Sequence, residues 1–315
     1  YGMTATGSHG DFDSLRGAPL VRNDMRYTIE HIWRKIMLLK TIAGVSLVLA
    51  CVLSLCLDWA IWTVPVAFVG LFLIGFGLAV LFLWIICARV DLTKPQEEDD
   101  RFYRSVMYVY IEALIQLVRV RLHTKGLENT PKNGRFLLVC NHLFIADPGV
   151  VLHCFQKSQL AFLTKKENYS LPFIGAFMHK ILCQPVDREN DRQALKSILK
   201  CIQLIREDKV SVCAFPEGYT SKDGKLHPFR SGVFKIAQKT NVPIVVCTIR
   251  GTREIFKNLK HLRRTDVDFH LVEIIPPEGY AGMNTVELGE MIYEKMIGDL
   301  GEEFRFIPPD SGLPS

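Results

Sequence analysis

The sequence predicts an α/β fold, a mixed sheet flanked by helices, preceded by an N-terminal two-helix membrane hairpin. Short apolar runs alternate with amphipathic stretches from residue 136 to residue 275. Two long uncharged runs, Thr41 to Leu57 and Ile61 to Ala88, stand near the start, and the charged stretch Lys94 to Arg101 separates these regions. The 315 residues are 49% hydrophobic, enough for one sizeable core and a more apolar segment besides.

Residues 1–25 are rich in Gly, Ser, Thr and Asp without periodicity and read as a mobile tail, with Met25 a candidate start. The hairpin is expected over residues 26–93. The run from Ile61 to Ala88 is long enough for a hydrocarbon core of about 30 Å, and the run from Thr41 becomes so if Lys40 snorkels. Arg34, Lys35 and Lys40 before the pair and Arg89 after it place both ends on the cytoplasmic face. Trp59 and Trp62 at the tip and Trp33 and Trp84 at the other end fit interfacial belts. Pro65, Gly70, Gly75 and Gly77 leave open a hairpin that bends into one leaflet.

A linker and amphipathic helix are expected over residues 94–128. The helix runs from Phe102 to Leu122 with a polar stripe of Arg101, Arg104, Tyr108, Glu112, Gln116 and Arg119, lying in the membrane interface or solvated over a core.

The region expected to carry the chemistry spans residues 129–302. Phe136 to Cys140 reads as a buried strand, with Asn141 and His142 at its end. Asp147-Pro148 reads as an N-cap and first helical residue. On one continuous helix, steps of about 100° per residue would put His142 and Asp147 on different faces, whereas a strand, a turn and a cap bring them together. That pairing suits a general base held in one tautomer by a carboxylate. Val210 to Phe215 is a second buried strand, ending in Pro216-Glu217-Gly218-Tyr219-Thr220-Ser221, so both special segments leave strand ends, where open α/β sheets place ligands.

Further strands are expected at 159–164, 181–186, 243–249 and 267–275, and helices at 192–209 and 229–240. Leu171 to Gly175 reads as a loop or helix start, and Asn284 with Glu287 offers a capping box for the last helix. Residues 303–315 are expected to be a loose tail.

Asn141-His142 with Asp147, then Phe215-Pro216-Glu217-Gly218, then Val242-Pro243-Ile244-Val245 resemble the glycerolipid acyltransferase family typified by 1-acylglycerol-3-phosphate acyltransferase. The resemblance covers residues 120 to 280. It implies that His142 deprotonates a lipid hydroxyl, with Asp147 as its orienter, and that the hydroxyl attacks an acyl thioester. It implies acceptor contacts from Asn141, Arg188, Glu217, Gly218, Thr220 and Ser221, the arginine for a phosphate and the glutamate for the acceptor or the turn itself. Acyl-CoA or acyl carrier protein would be the donor, with no further cofactor and no metal. The family's usual Thr-Arg-Ser after the glycine is Tyr219-Thr220-Ser221 here, so Lys222, Lys225 or Arg230 would have to replace the arginine. Another lysolipid or amine-bearing lipid as acceptor, or a lipid-binding protein without turnover, are the alternatives.

Arg250, Arg253, Lys257, Lys260, Arg263 and Arg264 form a basic cluster suited to anionic headgroups, to the phosphates of the donor or simply to solvent. A net charge of +5, concentrated locally, disfavours nucleic acid as a partner. The nine cysteines form no CxxC pair and read as small hydrophobes of a reducing compartment, and neither zinc-ligand spacing nor a thiol nucleophile emerges around Cys140.

Overall fold

The computed structural model describes residues 38–187 and 190–308. The expected tail at 1–25, the hairpin flank with Trp33, Arg34 and Lys35, Arg188 with its expected phosphate contact, and residues 309–315 lie outside the described residues.

Helices α1 (Leu38–Cys56) and α2 (Val64–Ala88) form an antiparallel pair. Both are long and apolar enough to cross a membrane, and almost nothing of either is buried inside the protein. A turn and a short 3-10 helix, Ile61–Thr63, reverse the chain, leaving Trp59 and Trp62 exposed at the tip.

Helix α3 (Arg101–Leu117) begins where the Asp100 carboxylate accepts the backbone N–H groups of Phe102 and Tyr103. It ends at Leu117, because residues 120–125 form strand β1 (Val120–Lys125), paired in parallel with β7 (Thr265–Ile275). The expected helix to Leu122 is therefore too long, and the sheet starts before residue 129. The polar stripe is also corrected. Arg104 and Tyr108 are buried, and the Arg104 guanidinium pairs with Asp99 at 2.7 Å and donates to the Leu160 carbonyl at 3.0 Å. The charged stretch Lys94 to Arg101 is mostly exposed, but its end is tied down: Asp99 pairs with Arg104, and the Asp100 N–H donates to the Lys180 carbonyl at 3.0 Å. Two tyrosines join α3 to α2: the Tyr103 hydroxyl donates to the Ile86 carbonyl at 2.9 Å and that of Tyr110 to the Ala79 carbonyl at 2.5 Å.

The remaining strands are β2 (Leu137–Cys140), β3 (Leu160–Lys165), β4 (Gln184–Val186), β5 (Ser211–Ala214) and β6 (Ile244–Arg250). The seven strands run β1-β7-β6-β2-β5-β3-β4, parallel except at the β6/β7 junction. Central β2 and β5 are buried on both faces, which is why their sequences are continuous apolar runs without alternation. The strand expected at 181–186 is shorter, because Ile181 and Leu182 complete the turn after α5 (Ile174–Lys180).

Cores fill both faces. On one, Phe136, Phe155, Phe162 and Phe269 pack with α3 and α4 (Asp147–Cys154). On the other, Leu137, Val139 and Phe234 meet α6 (Asp191–Arg206), α7 (Lys235–Thr240) and α9 (Thr285–Leu300). Each fully buried phenylalanine contributes about 1.5–3 kcal/mol. Helix α9 starts with the expected capping box between Asn284 and Glu287. The stretch 229–240 divides into a 3-10 turn, Ser231–Phe234, and α7. Helix α8 (Ile255–Lys260) follows β6. All nine cysteines are free thiols.

Candidate active site

Strands β2 and β5 are parallel neighbours with Val139 opposite Ala214, so their carboxyl ends finish side by side. This register sets Asn141-His142 against Phe215-Pro216-Glu217, although some seventy residues separate them in sequence. The His142 imidazole stacks on the Phe215 ring, centroids 4.3 Å apart and planes 21° from parallel. Phe215 in turn stacks on Phe162 of β3, 6.0 Å away.

Asp147 is fully buried in the first turn of α4, with Ala146 rather than Asp147 at the N-cap. Its carboxylate faces backwards and does not cap its own helix. Oδ2 accepts the N–H groups of Leu143 at 2.6 Å and Phe144 at 2.7 Å, and meets His142 Nδ1 at 2.9 Å. A carboxylate at Nδ1 keeps the proton on that nitrogen and leaves Nε2 as the acceptor. The Thr220 hydroxyl lies 3.1 Å from Nε2, so it is the donor of that contact.

The two motifs are sewn together by backbone. The Glu217 carboxylate accepts the His142 N–H at 2.8 Å through Oε1 and the His227 N–H at 3.0 Å through Oε2. The Ser221 N–H donates to the His142 carbonyl at 2.8 Å. Burial outweighs both backbone donors and pushes the Glu217 carboxyl up to about 7. Gly218 sits at φ +82°, where the turn favours glycine, with the exposed Arg230 side chain lying over it.

These partners correct several expected acceptor contacts. The buried Asn141 amide is spent on Ile249, donating to its carbonyl at 3.0 Å and accepting its N–H at 2.8 Å. Glu217 is buried in the turn, the second of its two expected roles. Ser221 is buried too, with its hydroxyl bonded to Asp223 at 2.9 Å and accepting the Gly224 N–H at 3.0 Å. These three support the site from within. Among the described residues of that group, Thr220 is the one that reaches the imidazole. Among the replacement cations, Lys225 donates to the Glu303 carbonyl, whereas the exposed Arg230 lies over Gly218.

Residues the sequence did not single out complete the site. Phe215 forms the platform under His142, and His227 closes the turn through Glu217. The aromatic preceding Pro216 at a strand end was the available signal for the first; the second follows only from the fold. Phe144 meets Phe256 of α8 edge to face at 5.0 Å, bringing the basic cluster beside the site. Ile145 and Phe256 are exposed there, as are Lys257, Lys260, Arg263 and Arg264. Within that cluster Arg250 and Arg253 donate to the carbonyls of Leu300 and Lys222, and Lys257 pairs with Glu254 at 3.0 Å.

A carboxylate-oriented imidazole thus stands at the carboxyl edge of a mixed sheet, an arrangement suited to general-base group transfer, in a chain that also carries two long apolar helices. Residues 121–250 match the family model described as Acyltransferase. The chain is 36% identical over 158 residues to the 1-acyl-sn-glycerol-3-phosphate acyltransferase BAT2, chloroplastic, of Brassica napus, covering 49% of this chain and 45% of that protein. It is 27% identical over 171 residues to the 1-acyl-sn-glycerol-3-phosphate acyltransferase of Borreliella burgdorferi, covering 54% of this chain and 68% of that protein. The chain thus spans under half the length of the Brassica napus relative. The crystal structure of the 1-acyl-sn-glycerophosphate acyltransferase PlsC from Thermotoga maritima shares the fold, with a TM-score of 0.51 and 22% identity over 72% of this chain and 89% of that one.

Proposed function

We propose that the protein is a membrane-associated acyltransferase that moves a fatty acyl group from a thioester, acyl-CoA or acyl carrier protein, to the free hydroxyl of lysophosphatidic acid, giving phosphatidic acid. The observation that carries this reading is the His142 imidazole between Asp147 and a hydroxyl, with Nε2 left to accept a proton. In the reaction, the lipid hydroxyl takes the place of the Thr220 hydroxyl and gives its proton to Nε2 as its oxygen attacks the thioester carbonyl. Asp147 stabilises the imidazolium, and that proton leaves with the departing thiolate. General-base assistance of this kind is worth about 10²- to 10⁴-fold, and positioning supplies more. Relatives named for 1-acyl-sn-glycerol-3-phosphate acylation support this choice of acceptor.

Arg230, over the Gly218 turn, is the cation we assign to the acceptor phosphate in place of the family's arginine, together with Arg188. The exposed basic and aromatic residues around α8 would rest against anionic headgroups, with α1 and α2 in the bilayer and the catalytic domain on the cytoplasmic face. The test is a matrix of purified protein in vesicles, with acyl-CoA or acyl carrier protein as donor and lysophosphatidic acid, other lysophospholipids or an amine-bearing lipid as acceptor. Phosphatidic acid as the fastest product supports the reading; faster acylation of another acceptor, or lipid binding without any product, overturns it.

A further inference from the structure

Thr220, His142 and Asp147 stand in the order of a nucleophile, a base and its orienting acid. The hydroxyl lies 3.1 Å from Nε2, and Nδ1 lies 2.9 Å from the buried carboxylate. Because that carboxylate fixes the proton on Nδ1, the threonine O–H points its hydrogen at the base, which is how such hydroxyls are activated. The hydroxyl is also held in place. Its neighbour Ser221 is tied through its N–H to the His142 carbonyl, and the His142 N–H is tied to Glu217, so the backbone around Thr220 cannot drift from the imidazole. A β-branched side chain further restricts rotation at χ1. Thr220 remains half-buried, unlike the buried Asn141, Glu217 and Ser221. It stands at the place in the motif where the family usually carries arginine.

We propose that Thr220 is a nucleophile that gives the protein a second activity, hydrolysis of acyl thioesters, when no lipid alcohol competes for the base. The inference rests on the acyl-transfer reading, since it uses the same donor and the same imidazole. In the first step His142 Nε2 takes the Thr220 proton and Oγ1 attacks the thioester carbonyl. The carbon–sulfur bond breaks, an ester forms on Thr220, and the thiolate departs with the proton from His142. In the second step a water gives one proton to Nε2 and its hydroxide attacks the threonine ester. The fatty acid leaves as Oγ1 regains its proton, so no oxidant, reductant or further reactant is consumed.

The experiment uses the full chain in vesicles with palmitoyl-CoA, with and without lysophosphatidic acid. Without acceptor, rapid mixing should show a burst of free thiol approaching about one equivalent. Acid-quenched protein should carry one palmitoyl group that peptide mapping places on Thr220. Thr220→Ser should keep hydrolysis. Thr220→Val, of the same shape without the hydroxyl, should lower the ratio of hydrolysis to transfer by about a hundredfold. An unchanged ratio in Thr220→Val, with no adduct on residue 220 in the native protein, overturns the inference while leaving transfer intact. If the native protein consumes neither palmitoyl-CoA nor palmitoyl-acyl carrier protein, with or without acceptor, the transfer reading and this inference fall together.

Discussion

The Glu217 carboxylate accepts the backbone N–H of His142 at 2.8 Å, across a gap of 75 positions in sequence, and so fixes one motif of the site to the other. Its second oxygen takes the His227 N–H at 3.0 Å, and the side chain is buried in the turn.

Burial of that carboxyl makes stability depend on pH in a definite direction. The Glu217 carboxyl rises from 4.5 to about 7 on folding, because burial disfavours its charge. A folded pKa above the unfolded one means that the folded state binds the proton more tightly. The contribution is fully present below about pH 4.5 and is lost as pH rises through about 7, a change of about 3 kcal/mol. Glu217→Gln removes this slope but sets an amide N–H against a backbone N–H, at a cost of about 1–3 kcal/mol. Melting curves across this pH range should fall for the native chain relative to the variant.

Asp147 should separate chemistry from folding. Asp147→Asn keeps an oxygen facing Leu143, Phe144 and His142 Nδ1 and places its amide nitrogen where Oδ1 makes no hydrogen bond among the described residues. The lost charge no longer stabilises the imidazolium, so kcat should drop about a hundredfold, and the buried amide N–H without an acceptor should cost about 1–3 kcal/mol. Asp147→Ala also leaves two backbone N–H groups unpaired and should cost several kcal/mol more. Thermal melts and steady-state rates on both variants check this.

Asn141 is expected to be a stability residue. Asn141→Asp turns a carboxylate oxygen toward the Ile249 carbonyl that the amide now serves, so the fold should lose about 2–3 kcal/mol. Denaturant unfolding should report that loss, while KM for the acceptor in the folded fraction stays near the native value.

Arg104 holds α3 to the sheet through the Leu160 carbonyl, and Asp99 meets its charge. Arg104→Met strands a buried carboxylate and should cost about 3–5 kcal/mol. Adding Asp99→Asn to that variant should recover part of the loss, a coupling that a double-mutant cycle in the unfolding free energy measures.

Much of this was legible because buried parallel strands write themselves as uninterrupted apolar runs. Leu137–Cys140, Ser211–Ala214 and Ile244–Arg250 all lie where those runs place them. What stayed hidden depends on long-range partners. Arg104 keeps helical spacing with other polar residues, and only the contacts of Asp99 and Leu160, the latter 56 positions on, show it to be buried. Residues 120–122 continue an apolar helical pattern until β7 claims them as strand. The proximity of His142 and Asp147 followed from strand and helix-start signals, but the direction of the carboxylate did not, since its partners precede the helix. Asn141, Glu217 and Ser221 carry polar side chains in motif positions, yet each points into the protein, and sequence does not encode which way a motif residue faces.

The central claim is that the His142 imidazole performs the proton transfer. The most direct measurement is the rate of phosphatidic acid formation from an acyl thioester and lysophosphatidic acid by the native chain and by His142→Ala, compared at matched folded fraction. The account predicts a loss of about 10²- to 10⁴-fold in kcat with little change in donor binding. A His142→Ala protein that still forms product at the native rate would contradict it.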